Sequence, residues 1–306
     1  MSELVALLDL GSNAARFLLA RLQPGEGFRI LEQERVPTRL GGSPDGHLTD
    51  AAMRATSRAA QRFLKRVRKQ KSEARVLAVA TAAVRDAPNR ALLIASLLER
   101  EGVKLRILSG TEEARLGAEA AVRELPLLAG TVVDIGGGSA QITPVRRGQL
   151  SAGISLPLGA ARLTRRHLHH DPPSELELGA LRAEVRAHLV KHFKRGFGVG
   201  RMVLLGGTGR ALARRKLHPK GERPKKQRPS TIKLRDLQRL RARLERMTLR
   251  ERAAMRGLKP ERADVVVAGA IVLEELMLYA GYEALTVCSA SVREGVLLRE
   301  AKLLSR

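Results

Sequence analysis

The 306-residue chain is 44% hydrophobic and carries 56 Lys plus Arg against 31 Asp plus Glu, a formal net charge of +25. That length suits two domains of ordinary size, and a field of that sign recruits polyanions: nucleic acid, an anionic membrane or polyphosphate. Aromatic residues make up only 2%, with no Trp, which argues against base-stacking recognition of single strands and for a polyanion without bases.

The first apolar stretch is short and has no basic residue ahead of it, so it reads as a strand and not as a secretory leader. Strands are expected at residues 4–8 and 16–22, on either side of a polar loop at 9–15. A turn at 24–27 leads to a third strand near 28–35. Thr49 and Asp50 are placed to cap a helix reaching about residue 70, with Met53, Ala60, Leu64 and Val67 on one face. The continuous apolar run 76–82 predicts a buried strand, Pro88 opens a helix to about residue 100, and 105–108 is a further strand. Thr111 is expected to cap the next helix, which continues through residues 114–122.

The pattern then restarts. A strand at 131–135 ends in Asp134-Ile135-Gly136-Gly137-Gly138-Ser139, and a return strand at 141–145 leads into a turn at 146–148. The beginning of the chain has the same layout: strand, Asp9-Leu10-Gly11-Ser12, return strand, turn. This is an internal repeat of a whole hairpin unit. A third strand, 202–205, ends in Gly206-Gly207-Thr208-Gly209. Residues 214–228 hold eight basic residues, one acid and two prolines, too polar to bury a core and expected to be a mobile surface segment. The helix expected at 234–247 is basic, with Leu237, Leu240 and Leu244 inward. The apolar run 265–273 stops at Glu274 and Glu275, short of the ~18 apolar residues a bilayer requires, so it reads as a buried helix. Cys288 is the one cysteine; no intrachain disulfide can form, and a reducing cytoplasm is the expected compartment.

Three glycine-rich turns each follow an apolar strand. Glycine lets backbone approach an anion, and successive N–H groups make a concave donor nest. Ser12, Asn13, Ser139 and Thr208 add donors. Two of these loops also carry an aspartate, which repels phosphate unless a cation lies between them. Mg²⁺ (or Mn²⁺) is the natural choice, so Asp9 and Asp134 are candidate metal ligands. No Walker lysine follows any of the loops. Glu112 stands at a strand end and helix start, where open α/β sheets bind ligands; the plain alternative is a first-turn acid favoured by the helix dipole. His167, His169, His170 and Asp171 do not share one helical face and read as solvated helix-end residues. Cys288 reads as a packed side chain, and residues 195–200 as a turn.

With these residues in place, the chain resembles the exopolyphosphatase / guanosine pentaphosphate phosphohydrolase family, collinearly over nearly its whole length. The similarity is carried by Asp9-Leu-Gly-Ser-Asn13, by the block from Ala80 to Ala87, by Ile107-Leu-Ser-Gly-Thr-Glu-Glu-Ala-Arg115, and by Asp134-Ile-Gly-Gly-Gly-Ser139. Ser155 to Leu163, Gly206 to Arg210, Arg262-Ala-Asp264 and Val292-Arg-Glu-Gly-Val-Leu297 follow in order. The resemblance implies two actin-like (ribonuclease H-like) α/β lobes, each a mixed sheet flanked by helices, with the active site in the cleft between them. It implies Glu112 as the base that positions water, Asp134 as a holder of water or metal, and Arg85 facing the phosphate. Phosphate contacts are then expected from Gly11, Ser12, Asn13 and Arg16, from Gly136, Gly137, Gly138 and Ser139, and from Gly207 and Thr208. Three departures stand out. Gln141 replaces a usual glutamate, Ala14 a common serine, and Cys288-Ser-Ala-Ser291 the usual stretch before Arg293. The length matches the short, two-domain form of the family.

The resulting expectation is a first lobe of residues 1–122 plus 292–306 and a second of 123–291 carrying the basic segment 214–228. The expected activity is exopolyphosphatase: release of terminal orthophosphate from inorganic polyphosphate by metal-assisted attack of water, with Mg²⁺ or Mn²⁺ as cofactor. The alternatives are hydrolysis of guanosine pentaphosphate, or a polyanion-binding protein weakened catalytically at Gln141. The net charge favours a long polyanion, whose distal part Lys225, Lys226 and Arg228 would hold. Neither a specific nucleic acid nor a membrane is an expected partner, and a homodimer is left open.

Overall fold

The structure is a computed structural model that describes residues 2–41, 43, 45–70, 73–217 and 230–304. It divides into two compact units, Met1–Leu116 with Val292–Arg306, and Gly117–Ser291.

The first unit opens with three antiparallel strands, β1 (Glu3–Leu10), β2 (Ala15–Gln23) and β3 (Gly27–Val36), followed by α1 (Asp50–Gln70). Next come β4 (Arg75–Ala80), the single-turn α2 (Ala82–Arg85), α3 (Arg90–Glu101), β5 (Leu105–Ile107) and α4 (Gly110–Glu124), in which the unit boundary falls. The sheet order is β3-β2-β1-β4-β5, with β4 parallel to both β1 and β5. Alternation along β1 sends Ala6, Leu8 and Leu10 into one core with Phe17, Phe63, Leu64, Leu93 and Leu97, and Val5 and Leu7 into the other. A sheet buried on both faces explains why β1 reads as a continuous apolar run. The expected strand at 76–82 ends two residues early, because Thr81 turns the chain into α2.

The second unit begins with β6 (Gly130–Ile135), β7 (Ala140–Arg146), β8 (Gln149–Leu150) and β9 (Ile154–Leu156), then α5 (Ala160–His167) and α6 (Glu175–His192). After β10 (Arg201–Leu205) and α7 (Gly206–Leu217) come β11 (Ser230–Lys233), α8 (Leu234–Glu245), α9 (Leu249–Ala254), α10 (Val266–Ala280) and β12 (Ala284–Val287). The chain then returns to the first unit as α11 (Val292–Leu303). The second sheet runs β11-β12-β10-β6-β7-β8, with β9 also on β7. Without the added edge β11, its order β8-β7-β6-β10-β12 repeats that of the first sheet strand for strand. The fold is a duplicated mixed α/β architecture, two sheets each flanked by helices.

Two sequence expectations need correcting here. The buried helix does not stop at Glu274 but runs on to Ala280. Both glutamates are buried and have cationic partners: Glu275 takes a two-pronged bond from Arg186 at 2.6 and 2.9 Å, and Glu274 pairs with Arg241. The basic segment also starts later than its composition suggests, since α7 continues helically to Leu217. Lys225, Lys226 and Arg228 lie outside the described residues. Among the described residues no helix is long and apolar enough to cross a membrane.

Candidate functional site

Each unit carries one hairpin loop of the same design. In the second, Asp134 ends β6, and the carbonyl oxygens of Gly136 and Gly137 accept from the N–H groups of Ala160 and Arg162, both at 2.9 Å. The carbonyl of Gly138 accepts from Arg162 Nε at 2.7 Å. Because a trans peptide points its C=O and the next N–H in opposite directions, the N–H groups of residues 137, 138 and 139 turn away from α5. Successive amides turned to the same side are free of α5 and available to an anion. The packing leaves no slack: a Cβ on Gly159 would fall inside the backbone of Gly138 and Ser139. Gly206, at φ +79°, is equally constrained, for a Cβ there would strike Oδ1 of Asp134.

Gln141 faces Asp134 across β6–β7 and Ser155 across β7–β9. Asp134, Gln141 and Ser155 thus make a row across three strands on one face of the sheet. The Gln141 side chain is 3% exposed, and its Nε2 donates to Ser139 Oγ at 2.7 Å and Ser155 Oγ at 3.0 Å. Its Oε1 is buried without a hydrogen-bond partner. Thr208, expected as a phosphate donor, spends its buried hydroxyl on the carbonyl of Ile135 at 3.0 Å, tying α7 to the end of β6. Gly207 lies under the guanidinium of Arg262.

In the first unit the matching loop is backed by residues 39–41 instead of a helix. The carbonyl of Ser12 accepts from Gly41 N–H at 2.8 Å and that of Asn13 from Arg39 N–H at 3.2 Å, so the following amides again face the other way. Asp9 is opposed across β1–β2 by Arg16, and Arg293, brought back by α11, lies 3.9 Å from its carboxylate. Burial pushes the Asp9 carboxyl above the usual range; Arg293 and then Arg16 pull it down, while Glu294 adds to the rise.

The carboxylates of α4 are placed differently from the sequence expectation. The cap is Ser109, not Thr111: Ser109 Oγ accepts from Glu112 N–H at 3.1 Å, and the Glu112 carboxylate accepts from Ser109 N–H at 3.0 Å. This is a capping box. Glu112 also pairs with Arg106 on β5. The Ser109 N–H bond holds its carboxyl below the usual range; partial burial opposes this and Arg106 adds to it. These bonds tie the Glu112 side chain to the start of α4. Its neighbour Glu113 is the buried one, with a side chain 9% exposed that accepts from Arg85 Nη1 at 3.0 Å. The same nitrogen holds the carbonyl of Leu108 at 3.0 Å. Arg85 is therefore anchored to the first turn of α4 by Glu113.

These two glycine-loop hairpins on a duplicated fold have counterparts in known proteins. A model of the Ppx/GppA phosphatase family matches residues 18–304. The chain belongs to the Ppx/GppA phosphatase family. It is 31% identical over 308 residues to exopolyphosphatase 1 of Mycobacterium leprae, covering 97% of this chain and 89% of that protein. It is 33% identical over 313 residues to exopolyphosphatase 2 of Mycobacterium tuberculosis, covering 96% and 97%. The crystal structure of the Aquifex aeolicus Ppx/GppA family member superposes with a TM-score of 0.82 at 25% identity, over all of both chains. As a member of this family the chain is a phosphoanhydride hydrolase.

The other candidates fall outside this chemistry. His167 bonds Glu184 at 2.6 Å, and His170 bonds Glu177 at 2.8 Å. Among the described residues no group of three or more His, Cys, Asp or Glu side chains is arranged to hold a metal. Cys288 is buried and forms no disulfide.

Proposed function

We propose that this Ppx/GppA family member releases terminal orthophosphate from inorganic polyphosphate by water attack. The observation that carries the phosphate reading is the row of amides at residues 137–139, turned outward because all three preceding carbonyls are held by α5. Polyphosphate is favoured as the substrate by the net charge of +25 and by relatives named exopolyphosphatase that match nearly the whole chain.

In this reading the outward amides of the second unit's loop bind a phosphate, with Gly136, Gly137, Gly138 and Ser139 supplying the backbone and hydroxyl contacts; Gly11, Ser12 and Asn13 give the first unit a phosphate-binding loop of the same kind. Arg16 adds positive charge beside Asp9. Asp134 with the unpartnered oxygen of Gln141 offers hard oxygen ligands of the kind Mg²⁺ or Mn²⁺ accepts, so these two residues fit the divalent ion. Bound there, the ion would neutralise charge between carboxylate and phosphate. Asp9 already faces two arginines and has less need of one. Glu113, buried and oriented by Arg85, is assigned the water-activating role in place of Glu112, whose carboxylate is committed to its cap. Positioning and charge neutralisation are what phosphoryl transfer needs most.

The test is phosphate release with Mg²⁺ from long-chain polyphosphate and from guanosine pentaphosphate in parallel. A higher kcat/KM for polyphosphate is expected. The reverse order would move the assignment to the nucleotide, and release from neither would make the protein a polyanion binder.

A further inference from the structure

Gln141 is a core residue with an unmet demand. Its two N–H donors are both used, on Ser139 and Ser155. The remaining atom, Oε1, has no partner although the residue is 3% exposed. A buried carbonyl left unpaired costs stability, and a cation is one partner that would satisfy it. The row it belongs to contains one carboxylate, Asp134, which Gly206 allows to lie tight against the start of α7.

The charge of this seat decides when a cation binds. Affinity of an oxygen site for a hard divalent ion rises with the number of charged ligands, and Mg²⁺ gives up its waters reluctantly. The Asp134–Gln141–Ser155 row offers one charge and neutral oxygens. We infer that Gln141 is a neutral cation ligand, and that the seat it forms with Asp134 takes the divalent ion only as a complex with the phosphoanhydride. The phosphate oxygens on the nest at residues 137–139 supply the missing negative charge. This rests on the polyphosphate reading for the identity of the anion, and on the Gln141 geometry for the order of binding.

The decisive measurement uses Mn²⁺ alone, with no phosphate present, and follows the free ion by electron paramagnetic resonance. The wild-type chain is expected to bind Mn²⁺ no tighter than ~1 mM. The Gln141→Glu variant, with a second charge in the row, should bind at least about tenfold tighter. In steady-state kinetics, the wild-type rate should follow the concentration of the Mg²⁺–tripolyphosphate complex and ignore further free Mg²⁺. Micromolar uptake of Mn²⁺ by the wild type without phosphate would overturn the inference. So would a cooperatively melting Gln141→Glu variant that binds no tighter than wild type. Should that variant fail to fold, the wild-type titration still decides. Failure of the polyphosphate reading looks different: no phosphate release from any chain length, with the Mn²⁺ titrations unaffected.

Discussion

The two hairpins place an aspartate and its cross-strand partner seven residues apart, Asp9 with Arg16 and Asp134 with Gln141, and there the likeness ends. In the first unit the row continues from Arg16 to Arg35 on β3, and Arg293 adds a second guanidinium beside Asp9. In the second the row continues from Gln141 to Ser155. The aspartate of the first hairpin thus shares its row with arginines, while that of the second shares its row with an amide and a hydroxyl. The comparison teaches that duplicated backbone geometry leaves the charge of a site free to diverge. A strand position fixes where a side chain points, not what sign it carries.

The largest effect that would sharpen this division of labour is at α4, in the first unit. Glu113→Gln should leave the fold intact and lower kcat by about two to four orders of magnitude, the span of a lost general base. Glu112→Gln should change kcat little and cost about 1 kcal/mol of stability through the weakened cap. Melting curves and phosphate release on both variants check the pair, and an inverted result would restore Glu112 as the base.

A second comparison concerns how the loops are backed. Gly159→Ala drives a methyl into loop backbone and should cost about 3 kcal/mol with most of the activity. Gly41→Ala meets nothing nearer than the Ser12 Cβ, at 3.0 Å, and should cost less than about 1 kcal/mol. Denaturant unfolding measures both; equal costs would show that the helix-backed loop is no more rigid than the other.

The smallest effect is in acid. Glu177 caps α6 through Ser174. Its burial alone would raise its pKa, but bonds from Ser174 N–H, His170 and the His169 and His170 amides outweigh that and lower it to about 2. A carboxyl depressed in the folded state binds fewer protons there than in the unfolded chain. Its contribution is therefore complete above the usual glutamate range and is lost as pH falls toward 2. The stability gap between wild type and Glu177→Gln should be about 1 kcal/mol near neutrality and close progressively in acid, as read by melting temperature against pH.

Much of the fold was legible because glycine and small polar residues interrupt apolar runs at the strand ends of both hairpins. The strand–loop–strand units, α1 and the duplication all follow from that punctuation. Short elements were not: β8 and β9 have two and three residues, too few for a period. The extent of α10 was missed because Glu274 and Glu275 look like a surface boundary, and their partners Arg241 and Arg186 lie far away in sequence. The site was half visible. Asp9, Asp134 and Ser139 stand out by spacing, whereas the different surroundings of Glu112 and Glu113, on which the proposed choice of base rests, depend on Ser109 capping the helix two residues before Thr111. An amide in place of a carboxylate at Gln141 was plain in the sequence; the unpartnered state of its oxygen was not.

The return of α11 to the first unit has a consequence for synthesis. The core that holds Val5, Leu7, Leu18 and Leu22 is closed by Val292, Val296 and Leu297, and Arg75 reaches both Glu3 and Glu300. A ribosome making this chain finishes every strand of the first sheet early, yet must extrude the whole second unit before the segment that seals it appears. Until then one face of that sheet stays greasy and open, and Asp9 lacks Arg293. The nascent first unit is therefore the state in which a chaperone would meet this protein, and α11, emerging after the second unit, completes the core and brings Arg293 to Asp9.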